Sequence, residues 1–250
     1  CARCHGVDGT GGGPDAKRIF PKPRDLAAGV YKFRSTESGT PPSDDDLLHV
    51  ISRGLSGSAM PAFGELSDTE RQQLVAYIKS LSPAFTEQAP QPVTLAPDPG
   101  MGRTDLTKGR QLYKALGCAA CHGDLGRGNG PSAKVLVDDW GSPVRPVNLT
   151  QGWTYRGGAD PHSILLRLLS GIDGAGMPSY AEAVSPEDAW HLAYYVASLQ
   201  EEPAWKTTIT ARSSAGPLPT LLADPKWAGV EQTTISLGST VYQNGAVVPP

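Results

Sequence analysis

Residues 1–5, Cys1-Ala-Arg-Cys4-His5, and residues 118–122, Cys118-Ala-Ala-Cys121-His122, are two copies of the pentapeptide C-x-x-C-H. Each is followed by a Met-Pro pair, Met60-Pro61 and Met177-Pro178, and the histidine-to-methionine separation is 55 positions in both. In this pentapeptide the two thiols are spaced to bond the vinyl groups of a haem, and the adjacent histidine is placed on the iron. A methionine arriving from the opposite side completes a six-coordinate iron. The thioether carriers expected here are Cys1, Cys4, Cys118 and Cys121, the proximal ligands His5 and His122, and the distal ligands Met60 and Met177. Duplication with equal ligand spacing disfavours a zinc or redox C-x-x-C site.

The repeat extends beyond the ligands. At an offset of 117, Gly9, Gly11, Gly13, Pro14, Ala16 and Lys17 match Gly126, Gly128, Gly130, Pro131, Ala133 and Lys134, and Leu48, Ile51, Gly54 and Gly57 match Leu165, Leu168, Gly171 and Gly174. Between these blocks the offset drifts to 122 or 123, where Pro23, Leu26 and Arg34 answer Pro146, Leu149 and Arg156. An insertion followed by a deletion in the second copy explains the drift. Self-similarity at a fixed period marks repeated structural units.

After each methionine the pattern predicts a capped amphipathic helix. Ser67 and Ser185 stand three residues before Glu70 and Asp188, the spacing of a capping box. Leu74, Ile78 and Leu81, with Tyr77 beside them, and then Leu192, Tyr195, Val196 and Leu199, recur at helical spacing toward the expected haem pockets. A further helix is expected from Leu106 to Leu116, capped by Thr107, with Leu112 and Tyr113 facing inward. The first copy has no counterpart for it, so residues upstream of Cys1 are expected in the full protein. Residues 87–102 contain Pro90, Pro92, Pro97, Pro99 and Gly100 and read as an extended linker.

The order C-x-x-C-H, glycine-rich loop, short helix, Gly-x-x-Met-Pro and a helix ending in Tyr-x-x-Ser-Leu resembles class I cytochrome c. The resemblance covers about four-fifths of the chain, twice over. It implies a mainly α fold of two tandem class I cytochrome c domains, 1–86 and 103–202, joined by the linker 87–102 and followed by a β-prone extension, 203–250. It implies two covalently bound haem c groups as cofactors. It also implies that the carbonyls of Pro14 and Pro131 accept the Nδ1 proton of the proximal histidines, an outer bond that orients the ring and tunes the iron. Arg34 and Arg156 recur in matching places; the alternatives for them are pairing with haem propionates, which the guanidinium fork suits, and a solvated surface position. His49, His162 and His191 lack histidine equivalents in the other copy and are expected to be surface or satisfied core residues. The glycine loops lack the phosphate-binding lysine and hydroxyl, so close backbone approach to haem is their expected role.

The extension contains β-prone runs at Lys206–Thr210 and Thr233–Leu237, and Leu218-Pro-Thr to Trp227 is similar to the opening of the haem b subunit of ethylbenzene dehydrogenase-like enzymes. The alternatives are an arm or the beginning of a larger domain.

A formal net charge of −3 makes nucleic acid an unsuitable partner. All four cysteines lie in the two signatures, leaving none for a disulfide. No apolar run of 18 residues is present, so the chain contains no transmembrane segment. Covalent haem attachment points to a periplasmic or equivalent extracytoplasmic location.

The leading expectation is a non-enzymatic electron-transfer protein, a subunit or carrier serving a molybdoenzyme, an oxidase or a quinone-linked dehydrogenase. The alternatives are a structural haem-wire subunit of a larger multi-subunit assembly and a dihaem peroxidase, which needs one distal position to open.

Overall fold

The computed structural model describes residues 1–203, 234–237, 240–243 and 246–248. Contacts group residues Cys1–Glu201 into one packed unit and Glu202–Pro250 into another.

In the first unit, α1 (Ala2–His5) is the turn carrying the first thiols and His5. It is followed by α2 (Asp44–Arg53), α3 (Asp68–Ser80) and the short α4 (Ala84–Glu87). Ser43 and Ser67 begin α2 and α3 with complete capping boxes, to Asp46 and Glu70, which satisfy backbone donors that the first turn of a helix leaves free. Leu47 and Ile51 on α2 and Val75 on α3 are buried in the small core of this module with Tyr31.

The second module contains α5 (Leu106–Ala115), α6 (Cys118–His122), α7 (Pro161–Ser170) and α8 (Pro186–Ser198). The cap of α5 is Asp105, which accepts from Thr107 N and Lys108 N, and not Thr107 as the sequence suggests. A carboxylate two residues earlier outcompetes the hydroxyl because it accepts both free amides. Ser185 caps α8 by accepting from Asp188 N, while the Asp188 carboxylate is paired with Lys108 of α5. Helices α5 and α8 cross at Gly109, where an added Cβ would lie 2.3 Å from His191 O. Tyr113, Leu165, Trp190 and Leu192 fill the core behind this crossing.

Of the expected linker 87–102, Glu87 ends α4 and Met101 and Gly102 begin a helical turn, while residues 88–100 between them form a strap fixed to both modules. Glu37 N donates to Gln91 O at 2.8 Å and Val93 N to Ser35 O at 2.9 Å. Further along, Trp190 Nε1 donates to Ala96 O at 3.1 Å and the Tyr194 hydroxyl reaches the Asp98 carboxylate. These bonds explain why a proline-rich segment joins the modules into one packed unit.

In the second unit, β1 (Thr234–Leu237), β2 (Thr240–Gln243) and β3 (Ala246–Val248) form an antiparallel sheet in the order β1-β2-β3, with Ile235 opposite Tyr242 and Tyr242 opposite Val247. The expected run Lys206–Thr210 and the stretch Leu218 to Trp227 lie outside the described residues. Among the described residues, no helix is long and apolar enough to cross a membrane.

Candidate haem sites

Helix α1 sets Cys1, Cys4 and His5 on one short turn, and all three line a cavity of about 490 Å³. Met60 lines the same cavity, as do Leu74, Tyr77, Ile78 and Leu81 of the helix that follows it. The apolar stripe expected from helical spacing therefore faces the cavity. Its volume falls within the range of about 300–1,000 Å³ usual for cofactor pockets.

His5 Nδ1 lies 2.9 Å from the carbonyl oxygen of Arg24, and His122 Nδ1 lies 3.0 Å from that of Val147. A carbonyl only accepts, so each ring carries a proton on Nδ1, which leaves Nε2 as the nitrogen that can offer a lone pair. Burial lowers the pKa of His122, with the Val147 carbonyl acting in the opposite sense. A neutral imidazole with a free Nε2 is the form that binds a metal.

These contacts correct the expectation for Pro14 and Pro131. Both prolines are exposed, and the acceptor in each module comes from the segment where the two copies are offset by 123. The glycines preceding them have a different task. A Cβ on Gly13 would lie 2.4 Å from Arg3 O, and one on Gly130 would lie 2.3 Å from Ala120 O. The close approach is thus to the backbone of the C-x-x-C-H turn itself.

In the second module Cys118, Leu149, Leu168, Met177, Tyr180 and Leu199 pack in one cluster. Burial raises the Cys118 thiol above its ordinary pKa, while the Tyr180 hydroxyl bonded to it acts in the opposite sense. The Tyr113 hydroxyl donates to Gly123 O at 2.7 Å, tying the core to the residue after His122.

The two arginines part company. Arg34 is 1% exposed and lies away from the cavity lining; it donates to Tyr31 O and Ser170 O and pairs with Asp173 at 2.6 Å. Its guanidinium is committed to protein acceptors, so the expected propionate role for Arg34 is not supported. Arg156 does line the cavity of the first module, although it belongs to the second. Arg24 and Lys32 line it too, and burial, with Arg24 beside it, pushes Lys32 down to about 8. Sequence reasoning missed Arg24, Lys32, Asp173 and Tyr180; Lys32 stands two residues before the repeated Arg34.

His49 and His162 are exposed, and buried His191 accepts from Asp105 N through Nδ1 at 3.1 Å. Among the described residues, no group of three or more His, Cys, Asp or Glu side chains converges as a bare metal site would require. The donors fit a macrocycle instead: paired thiols on a turn, a histidine with Nε2 free, and a soft thioether in the same apolar cavity.

Such a site defines a protein that holds haem covalently. The chain belongs to the cytochrome c family, whose pattern matches residues 1–82 and again 106–200. It is 29% identical over 210 residues to the Cbb3-type cytochrome c oxidase subunit CcoP of Azospirillum sp. (strain B510), covering 80% of this chain and 58% of that protein. It is 30% identical over 205 residues to the corresponding subunit FixP of Azorhizobium caulinodans, covering 80% of this chain and 56% of the relative. The chain thus spans just over half the length of these curated relatives. Among solved structures, a chain of the Kuenenia stuttgartiensis reducing HAO-like protein complex superposes with a TM-score of 0.75 at 38% identity, covering 80% of this chain and 92% of that one. This is a cytochrome c electron-transfer protein carrying covalently bound haem c.

Proposed function

We propose that the chain relays single electrons through two closed His/Met haem sites as a subunit of a larger extracytoplasmic respiratory assembly. The observation that carries this reading is the shared lining of one apolar cavity by Cys1, Cys4, His5 and Met60, with the repeat placing the same donor types at Cys118, Cys121, His122 and Met177. When bound, each haem c supplies a one-electron ferric/ferrous couple. The chain's own residues do the rest. The Arg24 and Val147 carbonyls hold the histidine rings with Nε2 free, and Met60 and Met177 supply soft donors that favour ferrous iron and raise the potential. The apolar walls limit access of water. Arg156, Lys32 and Arg24 line the first cavity and would supply positive charge to the propionates of a haem held there.

Membership of an assembly is supported by the relatives, described as oxidase subunits, and by the structural neighbour, part of a multi-protein complex. Its partners are therefore redox proteins, with an oxidase or a comparable multi-subunit oxidoreductase favoured over a free-standing carrier role. The periplasm is the compartment that fits covalent haem attachment.

The test is a redox titration of the full haem-loaded protein combined with a peroxide turnover assay. The proposal expects two one-electron waves, low-spin haem throughout and no turnover. Peroxide consumption by the half-reduced protein, with one haem becoming high-spin, would favour the peroxidase alternative.

A further inference from the structure

We propose that Arg34 and Arg156 form a reciprocal clasp, each bracing the turn that delivers the distal methionine of the other module; this rests on the proposed ligation by Met60 and Met177. The two turns are built alike. Leu55 N donates to Met60 O at 3.1 Å, and Ile172 N donates to Met177 O at 2.9 Å, so each methionine closes a tight loop. The corresponding apices are Ser56-Gly57 and Asp173-Gly174.

The second loop is gripped from the first module. Arg34 Nη2 donates to Ser170 O at 2.8 Å and pairs with Asp173 at 2.6 Å. The Asp173 carboxylate also accepts from Ser38 Oγ and Gly39 N, both at 2.8 Å. All three of these partners of the carboxylate come from residues 34–39. The first loop is gripped from the second module, where Arg156 Nε donates to Ser56 O at 3.2 Å and Nη2 to Gly57 O at 3.0 Å. Arg34 and Arg156 are equivalent in the repeat, and so are Ser56 and Asp173. The contact is therefore an exchange of like parts between two like modules.

The two halves differ in strength. Breaking a buried charged pair is costly because it leaves one charge uncompensated, whereas losing hydrogen bonds to partly exposed carbonyls costs less. Arg34 has a fully buried side chain and a carboxylate partner that is 18% exposed, while Arg156 contacts only carbonyls on that loop. The brace on the Met177 loop is thus the stiffer one, and Met60 is the more easily displaced ligand. Arg34 and Asp173 are positioning residues, acting on the iron only through the loop, whereas Arg156 braces its loop in addition to lining the first cavity.

Imidazole binding to the oxidised, haem-loaded protein tests this, followed at each haem by NMR resonances assigned with Met60→His and Met177→His. Asp173→Asn keeps the side-chain volume and removes the charge. It should tighten imidazole binding at the Met177 haem by about tenfold while leaving the Met60 haem within about twofold, as loss of a buried ion pair loosens its own loop. Arg34→Lys should act at the same haem, although residue 34 lies in the other module. Arg156→Ala should act on the Met60 haem. Equal changes at both haems, a change confined to the arginine's own module in Arg34→Lys or Arg156→Ala, or no change in a folded Asp173→Asn protein would overturn the clasp. If Met177→His itself leaves the spectrum unaltered, the ligand assignment falls; if it alters the spectrum and Asp173→Asn does not affect binding, the clasp alone falls.

Discussion

The Nδ1 of His5 donates to the carbonyl oxygen of Arg24 at 2.9 Å, while the Arg24 guanidinium lies 4.2 Å from the centroid of the Trp140 ring. One residue thus orients the proximal histidine of the first module through its backbone and contacts the second module through its side chain. An arginine over an indole face adds a cation–π attraction. The proximal side of one site is tied to the other module by the backbone and the side chain of a single residue.

Replacing the distal ligands separates the two sites. Met60→His and Met177→His should each lower the potential of one haem by on the order of 0.1 V, within the ~0.8 V span over which axial ligands act, while both haems stay covalently attached. Spectroelectrochemical titration checks this, with the shifted wave differing between the two variants.

Arg156→Ala removes a cation from the lining of the first cavity. A positive charge favours the reduced iron, so its loss should lower the potential of the first haem by some tens of millivolts; about 59 mV corresponds to a tenfold change in a one-electron couple. The same titration measures it, and the second wave should move less.

The α5–α8 crossing tolerates no side chain at Gly109. Gly109→Ala forces a methyl against His191 O and Tyr195, and should destabilise by about 1–3 kcal/mol in denaturant unfolding. Gly102→Ala, where the added Cβ has no neighbour within 4 Å, should stay within about 0.5 kcal/mol.

Acid should loosen the helix ends. Hydrogen bonds from Ser67 hold Glu70 below its ordinary pKa, the Lys108 amide does the same for Asp105, and the Lys108 side chain for Asp188. Each folded-state pKa is depressed, so the stabilisation is present above the unfolded value and is lost as pH falls through the folded one. Circular dichroism should show helix loss beginning below pH ~4, and the Glu70→Gln variant should show a shallower acid slope.

Much of this architecture is legible in the residues. Equal spacing of His5–Met60 and His122–Met177 announces duplicated sites, and serine-capped helical patterns locate α3 and α8. What escapes is of two kinds. The Arg24 and Val147 acceptors are backbone carbonyls, which carry no residue signature, and they lie where the copies slip out of register; Pro14 and Pro131 attract attention because they remain in register. The Arg34–Asp173 pair escapes because its members are far apart in sequence and Asp173 has only Ser56 as its counterpart. A repeated arginine suggests a repeated task, yet packing of one module on the other gives Arg34 a buried ion pair and Arg156 a place beside a cavity.

Proton NMR of the fully reduced, haem-loaded protein tests the central claim of two closed His/Met sites most directly, because ring-current shifts isolate the methyl resonance of a methionine lying over a haem. The account expects two such methyl resonances, one lost in Met60→His and the other in Met177→His. A single resonance, or a pair unaffected by either substitution, would contradict it.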